Sequence, residues 1–421
     1  MRVDWIAYLG AGAILVACVT QDCSAVRSTR QQSPETFTFP AEFGPHDAVW
    51  MVWAGEPGHD HISTQAIVAM SPFVRIELVV EEERLIDPAR RTLSAAGVDL
   101  GRIRIHVQNP TDFYYRDDGP LFLLGSRGGL KVADFSWNGY GSPPEKIDKR
   151  RQGEAIIDRD IAHRLGLETV RSDAVTEGGA MEVNGQGTML AVETLALQRN
   201  PGWSLKEIER EYLRVMGQKQ LIWLKEGLAD DPLRLQRVVD DYFAVGAGGH
   251  IDEFARFADA HTILLASVTR DDRDRNPVSR MNDERLEENF RRLEAATDQD
   301  GKPFKIVRVP MPPALYESRV VDAKEVEDFI PFGVRAGDRI RRLATTSYLN
   351  YFATNGVVLV PSFWRKGRSS VLRQRDEEIR LLFEHLFPGR RVVQIDATVL
   401  GMEGGGLHCM VQQQPAVRPR L

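Results

Sequence analysis

Two four-residue runs, Ile263-Leu264-Leu265-Ala266 and Val357-Val358-Leu359-Val360, contain no polar residue. A strand without a polar face has to be covered on both sides, so these segments read as fully buried strands of an α/β structure. Three other segments alternate: Val74-Arg75-Ile76-Glu77-Leu78-Val79, Arg102-Ile103-Arg104-Ile105-His106-Val107 and Lys305-Ile306-Val307-Arg308-Val309. Alternation of period two predicts half-buried strands. Helices are fewer. Ser204 and Glu207 make a capping-box pattern, Leu205, Ile208, Tyr212 and Val215 recur at helical spacing, and Gly217 ends the run. A second helix is expected over Asp376 to Phe387, with Ile379, Leu382, Phe383 and Leu386 on one face and Pro388-Gly389 behind it. There is no tandem repeat of readable period, and the charged segment from Tyr316 to Arg342 is expected to be an insertion or a loop over a site.

The chain has 421 residues, a length that suits two or three domains or one large α/β or repeat architecture. Its net charge of -6, with no block of basic residues, gives no footprint for a nucleic-acid backbone. Of the three cysteines, Cys18, Cys23 and Cys409, only the last lies in the body of the chain, which excludes a disulfide framework. Residues 5–17 form an uncharged, largely apolar run, too short for the roughly 20 residues of a membrane span. The run has the length of a signal-peptide core. Leu15-Val16-Ala17-Cys18 resembles a bacterial lipoprotein cleavage site, in which Cys18 would be lipidated. The expected organisation is therefore a signal peptide over 1–17, a flexible tether over 18–36, a globular domain over 37–416 and a tail over 417–421. That organisation places the protein in the cell envelope or periplasm, with membrane contact only through the lipid. An apolar first helix or strand of a cytoplasmic protein is the alternative reading.

The clearest chemical signal is Glu403-Gly404-Gly405-Gly406-Leu407-His408-Cys409. Glycines let a ligand approach the backbone, which is how a reactive thiol would be presented. A buried structural cysteine is the alternative. On an extended segment His408 would point away from Cys409, so a base has to come from elsewhere and His408 reads as a structural neighbour. Gly248-Gly249-His250-Ile251-Asp252-Glu253 offers one, because His250 and Asp252 would face the same side of an extended segment. A histidine hydrogen-bonded within a turn is the other reading. No CxxC, HxxxH or HExxH spacing supports a zinc site. Two more acidic residues lie in glycine contexts, Asp117 in Tyr115-Arg116-Asp117-Asp118-Gly119-Pro120 and Glu177 in Thr176-Glu177-Gly178-Gly179; each alone is ordinary turn punctuation.

In chain order these segments resemble the agmatine deiminase and bacterial-type peptidylarginine deiminase family of the guanidino-group-modifying, or pentein, superfamily. The resemblance runs from Pro40-Ala41-Glu42-Phe43, with Trp50 and Trp53, through Arg116 to Pro120 and Glu177-Gly178-Gly179 with Asn184-Gly185-Gln186-Gly187-Thr188. It continues in Arg199-Asn200-Pro201, Ile222-Trp223-Leu224, Gly249-His250-Ile251-Asp252 and Ser347-Tyr348-Leu349-Asn350, and ends at His408-Cys409. It implies a five-bladed α/β propeller of ββαβ-type units around a central active-site pocket, without cofactor or metal. It also implies that Cys409 is the nucleophile, His250 the general acid/base, Asp117 and Asp252 the guanidinium-binding carboxylates and Glu177 the partner that orients His250. Asn350 is a candidate pocket residue. Paired carboxylates suit a planar, permanently charged guanidinium.

The implied reaction is hydrolytic deimination through a covalent thiouronium, of agmatine to N-carbamoylputrescine or, alternatively, of peptidyl arginine to citrulline. The partner is then a small cationic guanidino compound or a peptide. The chain departs from the family pattern at Ser136 to Gly141, at Gly406, where an asparagine is usual, and at Ala247-Gly248, and it has no obvious arginine pair near residues 138–141 to hold a C-terminal carboxylate. A thiol peptidase or amidase, an amidinotransferase and a guanidine-binding non-enzyme remain as other classes.

Overall fold

One structural unit recurs five times: an antiparallel strand pair, a helical crossover, and a third strand parallel to the second. Residues 35–417 are described by a computed structural model; the signal-peptide, Cys18 and tether expectations up to residue 34, and the tail from residue 418, lie outside them. Four units are continuous in sequence. Leu121–Gly125 and Leu130–Phe135 are joined by Glu168–Ser172, and Met181–Val183 and Thr188–Val192 by Gln220–Leu224. Ala255–Asp259 and Thr262–Ser267 are joined by Lys305–Pro310, and Phe352–Thr354 and Val357–Ser362 by Arg391–Asp396. The fifth unit closes the series, because Val411–Pro415 pairs antiparallel with His46–Trp53, which runs parallel to Arg75–Val80. These are the ββαβ units of the five-bladed propeller, and the closing strand carries Cys409 two residues before its start.

Local sequence explains the crossovers. The helix Leu205–Met216 starts at Ser204, whose side chain accepts from Glu207 N while Glu207 reaches back, and it stops at Gly217 in a left-handed conformation. The helix Ser370–Leu386 starts six residues earlier than expected, capped by Ser369. Asp376 is not a cap but an acceptor for Phe363 N at 3.1 Å and Trp364 N at 2.8 Å, pinning the preceding loop.

The unbroken apolar runs are buried as expected. Arg75–Val80 is not half-buried: Glu77 is 1% exposed, held by Arg75 Nε and His106 Nε2, each at 2.6 Å. The charged segment from Tyr316 to Arg342 stands between Lys305–Pro310, the last strand of one unit, and Phe352–Thr354, the first of the next. Its strands Tyr316–Val320 and Arg339–Leu343 join Gln236–Val239 and Tyr242–Ala244 in a sheet outside the five units.

Candidate active site

Cys409 lies in a turn over residues 407–410, not on a strand, so adjacent side chains need not diverge. His408 and Cys409 in fact converge on one carboxylate: His408 Nδ1 is 2.6 Å from Asp252 Oδ2, and Cys409 Sγ is 3.8 Å from the same oxygen. This corrects the expectation that His408 points away. The other ring nitrogen of His408 meets Glu42 Oε2 at 2.6 Å. Both ring nitrogens of His408 are thus spent on carboxylates, which ties the segment carrying Cys409 to Glu42 and Asp252. Asn350 completes the support, with Nδ2 donating to Cys409 Sγ at 3.3 Å and to Glu253 Oε1 at 2.8 Å, and Oδ1 accepting from His408 N at 2.8 Å. A Cβ on Gly406 would collide with the Asn350 carboxamide, so the glycine at this departure from the family pattern makes room for Asn350.

His250 and Asp252 do share a site, by a different route from strand alternation. His250 precedes a single helical turn, Ile251–Glu253. The turn is entered through Gly248 and Gly249 at φ of 103° and 96°, a region side chains rarely occupy. Asp231 fixes this loop by accepting from Ala247 N at 2.6 Å, Gly249 N at 3.0 Å and His250 N at 2.8 Å. The His250 ring lies between two carboxylates, Nδ1 3.8 Å from Asp117 Oδ1 and Nε2 3.6 Å from Glu177 Oε2. Glu177 is itself held by Arg199 Nε at 2.6 Å. Asp117 accepts from Gly179 N at 3.0 Å and from the Tyr140 hydroxyl at 2.9 Å. Gly179 is the point of closest approach: a Cβ there would lie 2.6 Å from His250 Nδ1, 3.0 Å from Asp117 Oδ1 and 3.1 Å from Asp252 Oδ2.

The electrostatics follow from this burial. Desolvation would lower the His250 pKa, but Asp117, Glu177 and Asp252 override it and push the imidazolium up to about 9. Burial, opposed by His250 and reinforced by Asp252 and Glu177, raises Asp117 to about 6. Burial also opposes ionisation of Asp252, yet His408 and His250 hold its carboxyl below the ordinary range. Glu177 is likewise held low by Arg199 and His250 against its burial. The Cys409 thiol is pushed well up by burial and by Asp252, Glu253 and Asp117. Asp252 Oδ1 is buried without a hydrogen-bond partner among the described residues, leaving an acceptor for a cation.

The cavity has a volume of about 270 Å³ and is lined by Cys409, His250, Asp117, Tyr140, Tyr114 and Arg234 among others. Its carboxyl groups are Asp117, Asp231, Glu253 and Glu403, against the single guanidinium of Arg234. Asp252, Glu253 and Cys409 bring ligand atoms within 4.8 Å of one another. Of that donor set, Asp252 Oδ2 is engaged by His408 and Glu253 Oε1 by Asn350.

The five residues named as catalytic, and Asn350, are therefore brought together. Two arginines from other segments lie beside residues 138–142: Arg151 packs against Gly139, and Arg234 donates to Ser142 Oγ at 2.7 Å. Sequence reasoning gave no role to Glu253, Tyr140, Glu42 or Arg199, although it had quoted the segments that hold them, and it missed Asp231 altogether.

Comparison with known proteins finds relatives over most of the chain. Residues 38–415 match the Porphyromonas-type peptidyl-arginine deiminase family. The chain is 30% identical over 397 residues to an agmatine deiminase of Ectopseudomonas mendocina, covering 90% of this chain and 96% of the relative. It is 29% identical over 399 residues to one of Pseudomonas aeruginosa, covering 91% and 96%. Among solved structures, an agmatine deiminase of Enterococcus faecalis superposes with a TM-score of 0.73 at 23% identity, over 91% of this chain and 97% of that one.

Proposed function

The chain belongs to the Porphyromonas-type peptidyl-arginine deiminase family and is a hydrolase of C–N bonds in linear amidines; we propose that its substrate is agmatine and that Cys409 is its nucleophile. The observation that carries this reading is the buried thiol beside Asp252, whose second oxygen is unpartnered, with Asp117 and His250 at the same cavity. Asp117 and Asp252 hold the guanidinium, so its central carbon is presented to Sγ. The carboxylates that keep the thiol protonated are the ones this cation neutralises, so substrate binding itself favours the thiolate. Sγ attacks the carbon, His250 donates a proton to the departing nitrogen, and ammonia leaves a thiouronium on Cys409. Neutral His250 then takes a proton from the attacking water, and collapse frees the thiol and a ureido product.

Four carboxyl groups against one arginine in the cavity lining suit a dication such as agmatine. A second reading is favoured by Arg234 and Arg151, which would hold the carboxylate of arginine or of a C-terminal arginyl residue. Ureido-product formation from agmatine, free arginine and an arginine-ending peptide separates the two: turnover of agmatine alone is expected, and turnover of only the acids reverses the assignment. With the accepted substrate, kcat/KM should fall below about pH 6 as Asp117 is protonated and above about pH 9 as His250 loses the proton it donates. A rate still rising beyond pH 10 would remove His250 from the acid role.

We also propose export and lipidation at Cys18, supported by the apolar run 5–17 and the Leu15-Val16-Ala17-Cys18 sequence. The mass of the mature N-terminus tests it: a diacylglycerol on Cys18 is expected, and an intact Met1 would refute it.

A further inference from the structure

Asp118 follows Asp117 in the short turn Tyr115–Asp118 but serves a different cavity. Its side chain is 5% exposed, and among the described residues neither carboxylate oxygen has a hydrogen-bond partner. It lines a chamber of about 20 Å³ together with Asp117, Trp137, Glu154 and Asp158, a space that holds one water-sized particle. Trp137 Nε1 is also buried and unpartnered. A buried carboxyl group without a partner is costly, which points to an occupant. The neighbouring acids are engaged: Arg150 Nε is 3.0 Å from Glu154 Oε1, and Asp158 Oδ1 accepts from Arg159 N at 2.7 Å. Asp118 is the member of the group left open.

Asp117 lines both this chamber and the substrate cavity. The nitrogen expelled in deimination leaves from the carbon of the guanidinium that Asp117 holds, one side chain away from Asp118. We propose that the chamber is a binding site for this nitrogen coproduct, ammonia or ammonium, an inference that rests on the deiminase reading. The hydrogen-bonding inventory fits, since the lone pair of ammonia can accept from the Asp118 carboxyl proton while its N–H groups donate to the other Asp118 oxygen. Burial, with Asp112, Glu154 and Asp117, drives the Asp118 carboxyl well above its ordinary range, so it meets ammonia as an acid. Transfer of its proton to the nitrogen gives an ammonium–carboxylate pair, and the reverse transfer releases ammonia.

The test uses the full chain, with ammonium chloride compared with tetramethylammonium chloride at equal ionic strength and ureido product as the readout. Ammonium should lower kcat saturably and tetramethylammonium, too large for the chamber, should not. Asp118→Asn should keep kcat without added ammonium within about threefold and shift the half-effect concentration up by about tenfold or more. Should that variant fail to fold, crystals of the unaltered protein soaked with thallous ion, an electron-dense substitute for ammonium, should show an anomalous peak beside Asp118. Equal responses to the two salts, an unchanged response in Asp118→Asn, or a thallium peak only beside Asp252 and Cys409 would each overturn the proposal. Absence of turnover on any guanidine would refute the deiminase reading instead, and the thallium experiment would still judge the chamber.

Discussion

Cys409→Ser lowers kcat/KM for the accepted guanidine by at least about four orders of magnitude, the scale expected when a nucleophile is removed from a site that otherwise stays assembled. The effect is large because the cavity is hostile to an oxyanion. Burial and the charges of Asp252, Glu253 and Asp117 already hold the thiol proton, and a hydroxyl is far less acidic than a thiol. The guanidinium can relieve that field enough for sulfur but not for oxygen. Folding should be little affected, since Oγ can still accept from Asn350 Nδ2, which donates to Sγ at 3.3 Å, and since the main-chain bond from Arg116 N to Cys409 O at 2.9 Å is independent of the side chain. Ureido-product assays beside thermal melting check both statements. A folded serine variant within tenfold of the parent activity would show that the chemistry does not pass through Cys409.

The fold was legible where one physical demand dominated. Unbroken apolar runs at 263–266 and 357–360 have to be buried, and a capping box with a terminal glycine defines the helix Leu205–Met216 whatever surrounds it. Reading failed where a distant partner changed the meaning of a polar residue. Glu77 looked solvent-facing by alternation but is buried because Arg75 and His106 hydrogen-bond to it. Asp376 looked like a helix start but is spent on loop amides, and the true start at Ser370 carries a weaker apolar period. The site followed the same division. Its catalytic candidates stand in glycine-rich turns recognisable as segments, yet strand alternation was the wrong premise, right in placing His250 with Asp252 and wrong in turning His408 away, because residues 251–253 and 407–410 are turns. Glu42 and His408 are 366 positions apart, a contact that no local pattern encodes.

Glu42→Gln costs about 3–5 kcal/mol of stability at neutral pH, the range for removing one partner of a buried charge cluster. Glu42 is 7% exposed and meets Arg256 Nη2 at 3.0 Å, Arg116 Nη2 at 3.4 Å, His408 Nε2 at 2.6 Å and Ala353 N at 2.9 Å. An amide fills the same volume but leaves the buried guanidinium groups of Arg256 and Arg116 short of one negative charge, and its NH2 group faces donors. Burial alone would raise the Glu42 pKa; Arg256, His408 and Arg116 instead hold it well below the ordinary carboxylate range. A depressed pKa means that the folded state binds the proton less readily than the unfolded chain. The stabilisation is therefore complete above the unfolded value of about 4.3 and is lost as the pH falls towards the folded one. Urea melts at pH 7 should show the full difference between parent and variant, and melts below about pH 4 a shrinking one. A pH-independent difference, or one below about 1 kcal/mol, would mean that Arg256 is sufficiently balanced by Glu182, whose Oε2 lies 2.9 Å from its Nε, and that the Glu42 charge contributes little. Activity links this stability to function: with Glu42 neutral, the His408 ring keeps only Asp252 as a charged partner, and the carboxylate beside Cys409 loses part of what fixes its position.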